Sequence, residues 1–440
     1  MEKFCLLGVL ILALFSTSCH TSKKLASDTH SPQNESPTTQ SEIVPDPART
    51  DSFLNNLLAQ RPEFDSIRIN RKAWNVQIIY TRIDRDARNE PKFTDYFWNV
   101  DPKRYFYPAS TVKMPIALLA LQKLRELRVA GLDRKATMIT ESGYSGQTPV
   151  YNDPTTPDGK PNIEQYVRKI FLVSDNDAFN RLYEFLGPEA INEKLNKMGY
   201  TDAQIIHRLD ISLSEDENRH TNPIQFMDAS GKIMYQQGEM FDEKSYPERH
   251  EKLGNGFYNA GKLINEPMDF SQKNRISLED LHTILKSIYF PNAVSPKQRF
   301  NISPEDFQLV YKSMSQYPTE SGYPTYDTSF YPAYCKFFLW GADPKALPPA
   351  NLRIFNKVGE AYGSLLDVAY IVDFTNKVEF MLSAVIYCNS DGILNDDHYD
   401  YNSVGYPFFS NLGKVIYNYE LQRQRDFSPD LSSMRFDYSH

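Results

Sequence analysis

A serine and a lysine three positions apart, Ser110 and Lys113, stand where a loop containing Tyr107 and Pro108 runs into an apolar helix. Residues at this spacing share one helical face, so the lysine lies one turn from the serine hydroxyl. Exclusion of water lowers the pKa of a lysine, and the neutral amine can then activate the hydroxyl as a nucleophile. Backbone N–H groups at the helix start can hold an oxyanion. The alternative interpretation is that Ser110 caps the helix and Lys113 points to solvent.

Two further motifs follow this pair along the chain. Ser174-Asp175-Asn176 comes after the amphipathic stretch 163–173 and precedes another helical pattern. Lys357-Val358-Gly359 opens a strand-rich segment that ends at Cys388. Taken alone, the first motif is typical of a helix N-cap and the second of a solvated strand end. All three motifs in this order favour a shared role at one site.

In these motifs the chain resembles the penicillin-recognising serine enzymes, and most closely the class A β-lactamase group. That group carries Ser-x-x-Lys, Ser-Asp-Asn and Lys-Thr/Ser-Gly in the same order. The likeness runs from about Trp74 to about Gln422. It implies a three-layer α/β fold, with an antiparallel sheet and a helical subdomain. Three more segments resemble the surroundings of the family's Ω-shaped loop: Met198-Gly-Tyr200, Arg208-Leu-Asp210 and Thr221-Asn-Pro223.

The resemblance implies roles for individual residues. Ser110 would be the nucleophile that forms an acyl-enzyme, and Lys113 would accept or relay its proton. Ser174 would pass a proton to the leaving nitrogen. The backbone N–H groups of Ser110 and Glu360 would form the oxyanion hole. The residues expected to bind substrate are Asn176 by hydrogen bonds, Lys357 by its charge, Gly359, and either Tyr144 or Tyr151 by stacking.

The chain departs from the family pattern in two places. The segment between Asp210 and Thr221 is shorter than the family's loop and lacks the Glu-x-x-x-Asn pattern that positions the deacylating water. We interpret the acidic residues 215–217 in this segment as solvated loop charges. Val358 stands where the family has a hydroxyl residue that hydrogen-bonds the substrate carboxylate, a contact worth about 1–3 kcal/mol. The sequence therefore predicts acylation followed by slow deacylation, with weakened recognition of penicillins.

Composition argues against some classes of partner. The net charge is −8 and no basic cluster stands out, so a nucleic-acid partner is not expected. Cysteines and histidines do not show metal-ligand spacing, so we expect neither a metal nor a cofactor. For Cys335 and Cys388 we expect buried free thiols, with a disulfide as the alternative. We expect a monomer that acts on a small-molecule or cell-wall peptide substrate.

The N-terminus has the pattern of a targeting segment. A basic start, an apolar run at residues 4–15 and the sequence Ser16-Thr-Ser-Cys19 resemble a bacterial lipoprotein signal in which Cys19 is lipidated. An ordinary secretory signal is the alternative. Residues 20–51 are rich in Ser, Thr, Pro and Asp, which predicts a disordered tether. We therefore expect a cell-envelope lipoprotein anchored to a membrane through Cys19 and facing the periplasm, or a secreted protein if Cys19 is not lipidated.

The remaining chain is expected to form one hydrolase domain at 52–422, with an insertion at about 226–351 and a C-terminal tail at 423–440. Strands near both ends of this domain, with helices between them, predict one sheet assembled from both ends. Helices are expected at 53–59, 110–124, 278–289, 304–314 and 407–421, and strands at 75–83, 95–100, 367–374 and 379–388.

The predicted function is that of a serine hydrolase acting through an acyl-enzyme on an amide or ester, with β-lactam or peptidoglycan-type substrates. Two alternatives remain open. One is a DD-peptidase or esterase of the same superfamily. The other is a catalytically silent envelope protein that binds cell-wall material.

Overall fold

A computed structural model of the protein describes residues 48–438. The predicted signal segment, Cys19 and the tether up to residue 47 lie outside the described residues, as do the last two residues of the chain. Within 48–438, no helix combines the length and the apolar character needed to cross a membrane.

The described chain alternates between helices and strands. The helices are α1 (Ser52–Ala59), α2 (Asp65–Ile69), α3 (Lys113–Leu127), α4 (Ile163–Val173), α5 (Asn176–Leu186), α6 (Pro188–Met198), α7 (Glu215–Arg219), α8 (Leu278–Tyr289), α9 (Pro304–Ser315) and α10 (Tyr406–Gln422). The strands are β1 (Gln77–Arg85), β2 (Pro91–Trp98), β3 (Thr137–Thr140), β4 (His220–Thr221), β5 (Ile224–Met227), β6 (Ile233–Gln237), β7 (Met240–Phe241), β8 (Lys252–Leu253), β9 (Gly256–Asn259), β10 (Lys262–Ile264), β11 (Met268–Asp269), β12 (Leu352–Ala361), β13 (Ser364–Asp373), β14 (Val378–Tyr387) and β15 (Ile393–Leu394).

A five-stranded antiparallel sheet forms the centre of the fold, with the strand order β12-β13-β14-β1-β2. Strand β1 shows how its two faces are used, because successive side chains of a strand point to opposite sides. Ile79 and Ile83 pack into the core on one face, whereas Ile78 and Tyr80 pack into the core on the other. Every side chain of β13 is buried, since both faces of the sheet are covered. The predicted three-layer α/β arrangement is confirmed.

The two outer layers come from different parts of the chain. One contains α1, α2 and α10, which lie near the two ends of the described residues. The other contains α8, α9 and the helices around α3. His282 of α8 fixes this second layer to the sheet, because its ring nitrogens lie 2.8 Å from the Thr81 hydroxyl and 2.7 Å from the Ser383 hydroxyl.

The segment 226–351 is therefore not one appended insertion. Helices α8 and α9 lie within it, close to their predicted bounds, and their apolar side chains belong to the main core. The additional structure is concentrated elsewhere in the segment. Strands β6 to β11 form short pairings at residues 233–269, and β9 also pairs in parallel with β15. The stretch 321–342 contributes aromatic side chains that pack on one another.

The first ten residues of helix α3 are buried on all sides. Every residue from 113 to 122 is buried, which explains why the run from Met114 to Leu121 is apolar without a polar stripe. The predicted helix over 110–124 is present, but it begins as a 3₁₀ turn at Ala109–Val112 and becomes α-helical at Lys113. The first residue of the buried helix is thus the lysine of the Ser-x-x-Lys pair.

The folded unit extends beyond the predicted domain boundaries at both ends. Arg49 was expected in the tether, yet its backbone N–H and C=O pair with Val100 at 2.8 Å and 3.0 Å. At the other end, Leu431 was expected in a tail but is 1% exposed and packs into the main core. Both corrections have the same cause. The backbone groups of Val100 and an apolar part of the main core are left uncovered by residues 52–422, so the flanking residues pair with the first and pack on the second.

Candidate active site

Ser110 lies in the 3₁₀ turn that precedes α3, and Lys113 lies at the start of the helix. The Lys113 Nζ donates a hydrogen bond of 2.9 Å to the Ser110 Oγ. No side-chain capping bond is present at this helix start, so the interpretation of Ser110 as a simple cap is wrong. Lys113 is 0% exposed, and burial, reinforced by the nearby charge of Lys357, holds its pKa well below the usual range.

The second motif meets the first through the same lysine. The Lys113 Nζ donates to Asn176 Oδ1 at 2.6 Å and to Ser174 Oγ at 3.3 Å, and it also contacts the Ser174 carbonyl oxygen. Ser174 ends α4 in a left-handed conformation, with φ of +62°. Asp175 caps α5 by accepting a hydrogen bond of 2.8 Å from the Ala178 N–H. The turn between α4 and α5 thereby presents Ser174 and Asn176 to Lys113.

The third motif reaches the site from strand β12. The Lys357 Nζ donates to Ser174 Oγ at 2.7 Å and to the carbonyl oxygen of Val358 at 2.8 Å. Burial lowers the pKa of Lys357 to about 8. The Val358 side chain belongs to the core between the sheet and α10. The structure thus brings Ser110, Lys113, Ser174, Asn176 and Lys357 into one hydrogen-bonded network, as the sequence predicts.

Gly359 allows β12, the edge strand of the sheet, to approach the Ser110 turn. A Cβ at this position would lie 2.9 Å from the carbonyl oxygen of Pro108 and 3.3 Å from the Cβ of Ala109. The next residue, Glu360, lines the same cleft as Ser110 and accepts a hydrogen bond from the Tyr406 hydroxyl. The structure therefore indicates that Gly359 is needed for close packing of β12 against the Ser110 turn.

The cleft has two lobes that share Ser110, Asn176 and Glu360. We call the larger cavity, of about 750 Å³, the loop lobe, because residues 206–213 form much of its wall. We call the other cavity, of about 530 Å³, the aromatic lobe. The aromatic lobe is lined by Ser174 and by five aromatic side chains from outside the three motifs, Phe330, Tyr331, Tyr334, Phe337 and Tyr406.

The acidic residues of the shortened loop are held by local contacts. Glu217 forms a capping box with Ser214 at the start of α7. Glu215 lines the loop lobe, but its carboxylate accepts a hydrogen bond of 2.9 Å from Arg219. Asp216 accepts a hydrogen bond from Tyr144. None of these contacts joins the network around Lys113, in agreement with the interpretation of residues 215–217 as loop charges.

The expectation that Tyr144 or Tyr151 stacks on substrate is not supported. The ring of Tyr144 is stacked on His220, with centroids 3.5 Å apart and planes 9° apart. The Tyr151 hydroxyl donates to Glu141 at 2.7 Å. Neither tyrosine lines either lobe of the cleft within the described part of the chain. The aromatic wall comes instead from five residues that belong to no motif, namely Phe330, Tyr331, Tyr334, Phe337 and Tyr406.

Asp210 is a site residue that sequence reasoning left without a role. It has a left-handed backbone, with φ of +57°, and its Oδ2 accepts a hydrogen bond of 3.2 Å from Asn176 Nδ2. Asn176 therefore connects Asp210 to Lys113. The adjacent Arg208 anchors this part of the loop, because its guanidinium is buried and donates to Glu184 at 2.7 Å. Strained backbone is typical of functional sites, and Asp210, Ala109 and Ser174 all show it here.

The cysteines take no part in this network. Cys335 and Cys388 are buried free thiols, as expected, and Cys335 lines the aromatic lobe. Across residues 48–438, no group of three or more His, Cys, Asp or Glu side chains is arranged to hold a metal ion.

Comparison with known proteins identifies the family. A model of the β-lactamase enzyme family matches residues 90–419. Among solved structures, the chain is similar to a β-lactamase from Xanthomonas campestris pv. campestris, with 13% identity, a TM-score of 0.44, and coverage of 83% of this chain and 97% of that chain. It is also similar to a class A β-lactamase from Clostridium kluyveri, with 14% identity, a TM-score of 0.44, and coverage of 84% and 99%. No curated protein matches the chain. Because the family model covers most of its length, the chain belongs to the β-lactamase enzyme family.

Proposed function

We propose that the protein is a serine hydrolase of the class A type, which cleaves an amide or ester through an acyl-enzyme on Ser110. The observation that carries this proposal is the contact of Lys113 Nζ with Ser110 Oγ at 2.9 Å, made by a lysine that is 0% exposed. A buried lysine with a lowered pKa can be neutral near physiological pH and accept the hydroxyl proton. A binding protein without catalysis has no need of this arrangement.

The reaction begins when Ser110 Oγ attacks the carbonyl carbon and gives its proton to Lys113. The backbone N–H groups of Ser110 and Glu360 stabilise the oxyanion. Loss of one such donor typically lowers kcat by about 10²–10³-fold. Ser174 protonates the leaving group and regains a proton from Lys113, because its Oγ is held between Lys113 and Lys357 at 3.3 Å and 2.7 Å. The C–N or C–O bond then breaks and leaves the acyl-enzyme.

Deacylation is the slow step in this proposal. Glu215 and Glu217 are engaged by Arg219 and Ser214, which supports their exclusion as bases. Asp210 is the carboxylate that is hydrogen-bonded to the catalytic network, through Asn176 at 3.2 Å. We assign to Asp210 the residual activation of water. A positioned general base typically accelerates a step by about 10²–10⁴-fold. An aspartate held in a loop by one hydrogen bond is less firmly positioned, so we expect it to accelerate deacylation less.

An ester or a peptidoglycan-type amide is the second candidate substrate beside β-lactams. An ester or amide without a carboxylate on its leaving group is favoured by Val358, whose buried apolar side chain offers no hydrogen bond to such a carboxylate. Mass spectrometry of the intact protein, after exposure to a penicillin and separately to an activated aryl ester, tests the proposal. An adduct with either reagent that is absent from Ser110→Ala supports it. The absence of any adduct with both reagents would favour a silent binding protein.

We also propose a cell-envelope location with lipid on Cys19. The support is the N-terminal sequence pattern described above. Globomycin, which blocks lipoprotein signal cleavage, should make a bacterial host accumulate the precursor. Normal processing of a Cys19→Ala variant would instead indicate an ordinary secretory signal.

A further inference from the structure

The aromatic lobe is the side of the cleft where the leaving group departs, if the proposed function is correct. Ser174 lines this lobe, and it is the residue assigned to protonate the leaving group. Asp210 and the 206–213 segment line the other lobe, where water is to be activated. A substrate that spans both lobes therefore has its acyl part in the loop lobe and its leaving group against the aromatic side chains.

The wall of this lobe is suited to a flat or ring-shaped group. Phe330, Tyr331 and Tyr334 are each half-buried, so part of each ring faces solvent. The Phe330 and Tyr334 rings meet edge to face at 5.0 Å, and those of Tyr331 and Tyr334 at 5.6 Å. Rings held by their neighbours lose little conformational freedom when a ligand packs on them.

The charge distribution of the lobe disfavours an anionic leaving group. Among the described residues that line it, none is a lysine or an arginine, whereas Asp175 and Glu360 carry carboxyl groups. Lys357 does not line the lobe and is only 2% exposed. Its Nζ donates hydrogen bonds to the Ser174 hydroxyl and the Val358 carbonyl oxygen. A free carboxylate entering this lobe would lose its hydration without gaining an exposed cation.

We propose that the natural substrate is an ester or amide whose leaving group is uncharged and carries a ring that packs on Phe330, Tyr331 and Tyr334. Ser110 Oγ gives its proton to Lys113 and forms a bond to the acyl carbon. The C–O or C–N bond of the leaving group breaks, and Ser174 supplies the proton that the departing alcohol or amine needs and regains one from Lys113. Water then cleaves the acyl-enzyme to the free acid, and no oxidant, reductant or metal is required.

The test compares two esters of one acyl group, one with 3-hydroxybenzamide and one with 3-hydroxybenzoate as the leaving group. The two leaving groups have nearly the same shape and differ in charge, and their rates are corrected for intrinsic reactivity towards hydroxide. We expect kcat/KM to be about tenfold higher for the benzamide ester, because the carboxylate is desolvated without a partner. An equal or higher kcat/KM for the benzoate ester would overturn the inference while leaving the serine mechanism intact.

Two variants test the assignment to the aromatic lobe. Tyr334→Leu should lower kcat/KM about fivefold to tenfold for the benzamide ester and little for an ester with a methanol leaving group. The matched control is Tyr258→Leu, which removes a partly exposed tyrosine at 38% exposure outside the cleft and should change neither ester. Val358 also lines the aromatic lobe, so the hydroxyl supplied by Val358→Thr should reduce the preference for the uncharged ester.

These experiments distinguish a wrong leaving-group site from a wrong proposed function. Hydrolysis of both esters that depends on Ser110, without any effect of Tyr334→Leu, would reject the aromatic lobe as the leaving-group site. Failure of Ser110 to react with either ester would reject the serine mechanism and the inference together.

Discussion

Lys357 donates a hydrogen bond of 2.7 Å to the hydroxyl of Ser174, although 183 residues separate them in the chain. This bond joins the edge of the sheet to the helical subdomain. Because Lys113 also contacts Ser174 at 3.3 Å, the hydroxyl lies between two amines whose pKa values are both lowered by burial. Such a hydroxyl can pass a proton in either direction, which is the property that the proposed mechanism requires.

The acylation rate should depend on pH in a bell-shaped manner. It rises with pH as Lys113 loses its proton and becomes a base, and it falls as Lys357 loses its charge at about pH 8. The measurement is the pH profile of kcat/KM for acylation of Ser110. Lys357→Arg keeps a positive charge up to a much higher pH, so its alkaline limb should move upward. An alkaline limb that stays near pH 8 in this variant would assign it to a group other than Lys357.

Gly359→Ala should lower the acylation rate by about 100-fold, because the new Cβ would lie 2.9 Å from the Pro108 carbonyl oxygen and displace the Ser110 turn. Gly238→Ala is the matched control, since a Cβ at Gly238 meets no atom within 4 Å and should leave the rate unchanged. Circular dichroism of both variants verifies that they are folded. Wild-type acylation by folded Gly359→Ala would show that close packing of β12 on the turn is not needed.

Asp210→Asn should slow deacylation by about 10–100-fold while the acylation rate stays within about threefold of wild type. The reason is that Asp210 contacts the network only at Asn176 Nδ2, on the side away from Lys113. Glu217→Gln is the control, because Glu217 serves the cap of α7. Single-turnover measurements separate the two steps. If Glu215→Gln abolished deacylation and Asp210→Asn did not, the base would have been assigned to the wrong residue.

The stability of the fold should fall as the pH drops from about 6.5 to about 4. Burial lowers the pKa of His282 to about 4, and the nearby charge of Asp95 only partly offsets this shift. The unfolded chain, with an ordinary histidine pKa of about 6.5, binds more protons in this range, so acid favours unfolding. The contribution is at most about 3 kcal/mol. Urea unfolding at pH 7.5 and pH 5 measures the loss of stability. His282→Gln should reduce this loss without abolishing it, because burial also lowers the pKa of His207 to about 4. If the free energy of unfolding of His282→Gln fell with pH as steeply as that of the wild type, other titratable groups would be responsible for the loss of stability.

The convergence of the catalytic residues could be predicted because each motif belongs to a local element with a clear pattern. Ser110 and Lys113 start an apolar helix, Ser174 follows an amphipathic helix, and Lys357 lies on a strand next to a buried hairpin. The antiparallel sheet assembled from both ends of the domain followed from the same strand patterns.

Other features depend on contacts between distant residues and left no local pattern. The role of Asp210 requires the left-handed turn that aims it at Asn176. The aromatic lobe is built by residues 330–334, where aromatic side chains are equally compatible with core packing. The family resemblance placed Tyr144 or Tyr151 in the cleft. The stacking of Tyr144 on His220 leaves no pattern in the sequence that would have prevented this assignment.

Pre-steady-state release of 4-nitrophenolate from a neutral 4-nitrophenyl ester shows whether Ser110 forms an acyl-enzyme that persists. We expect a rapid burst of one nitrophenolate per protein molecule, followed by slow turnover, with both phases absent in Ser110→Ala. Fast linear release without a burst would contradict slow deacylation. A burst that survives in Ser110→Ala would contradict the assignment of the nucleophile.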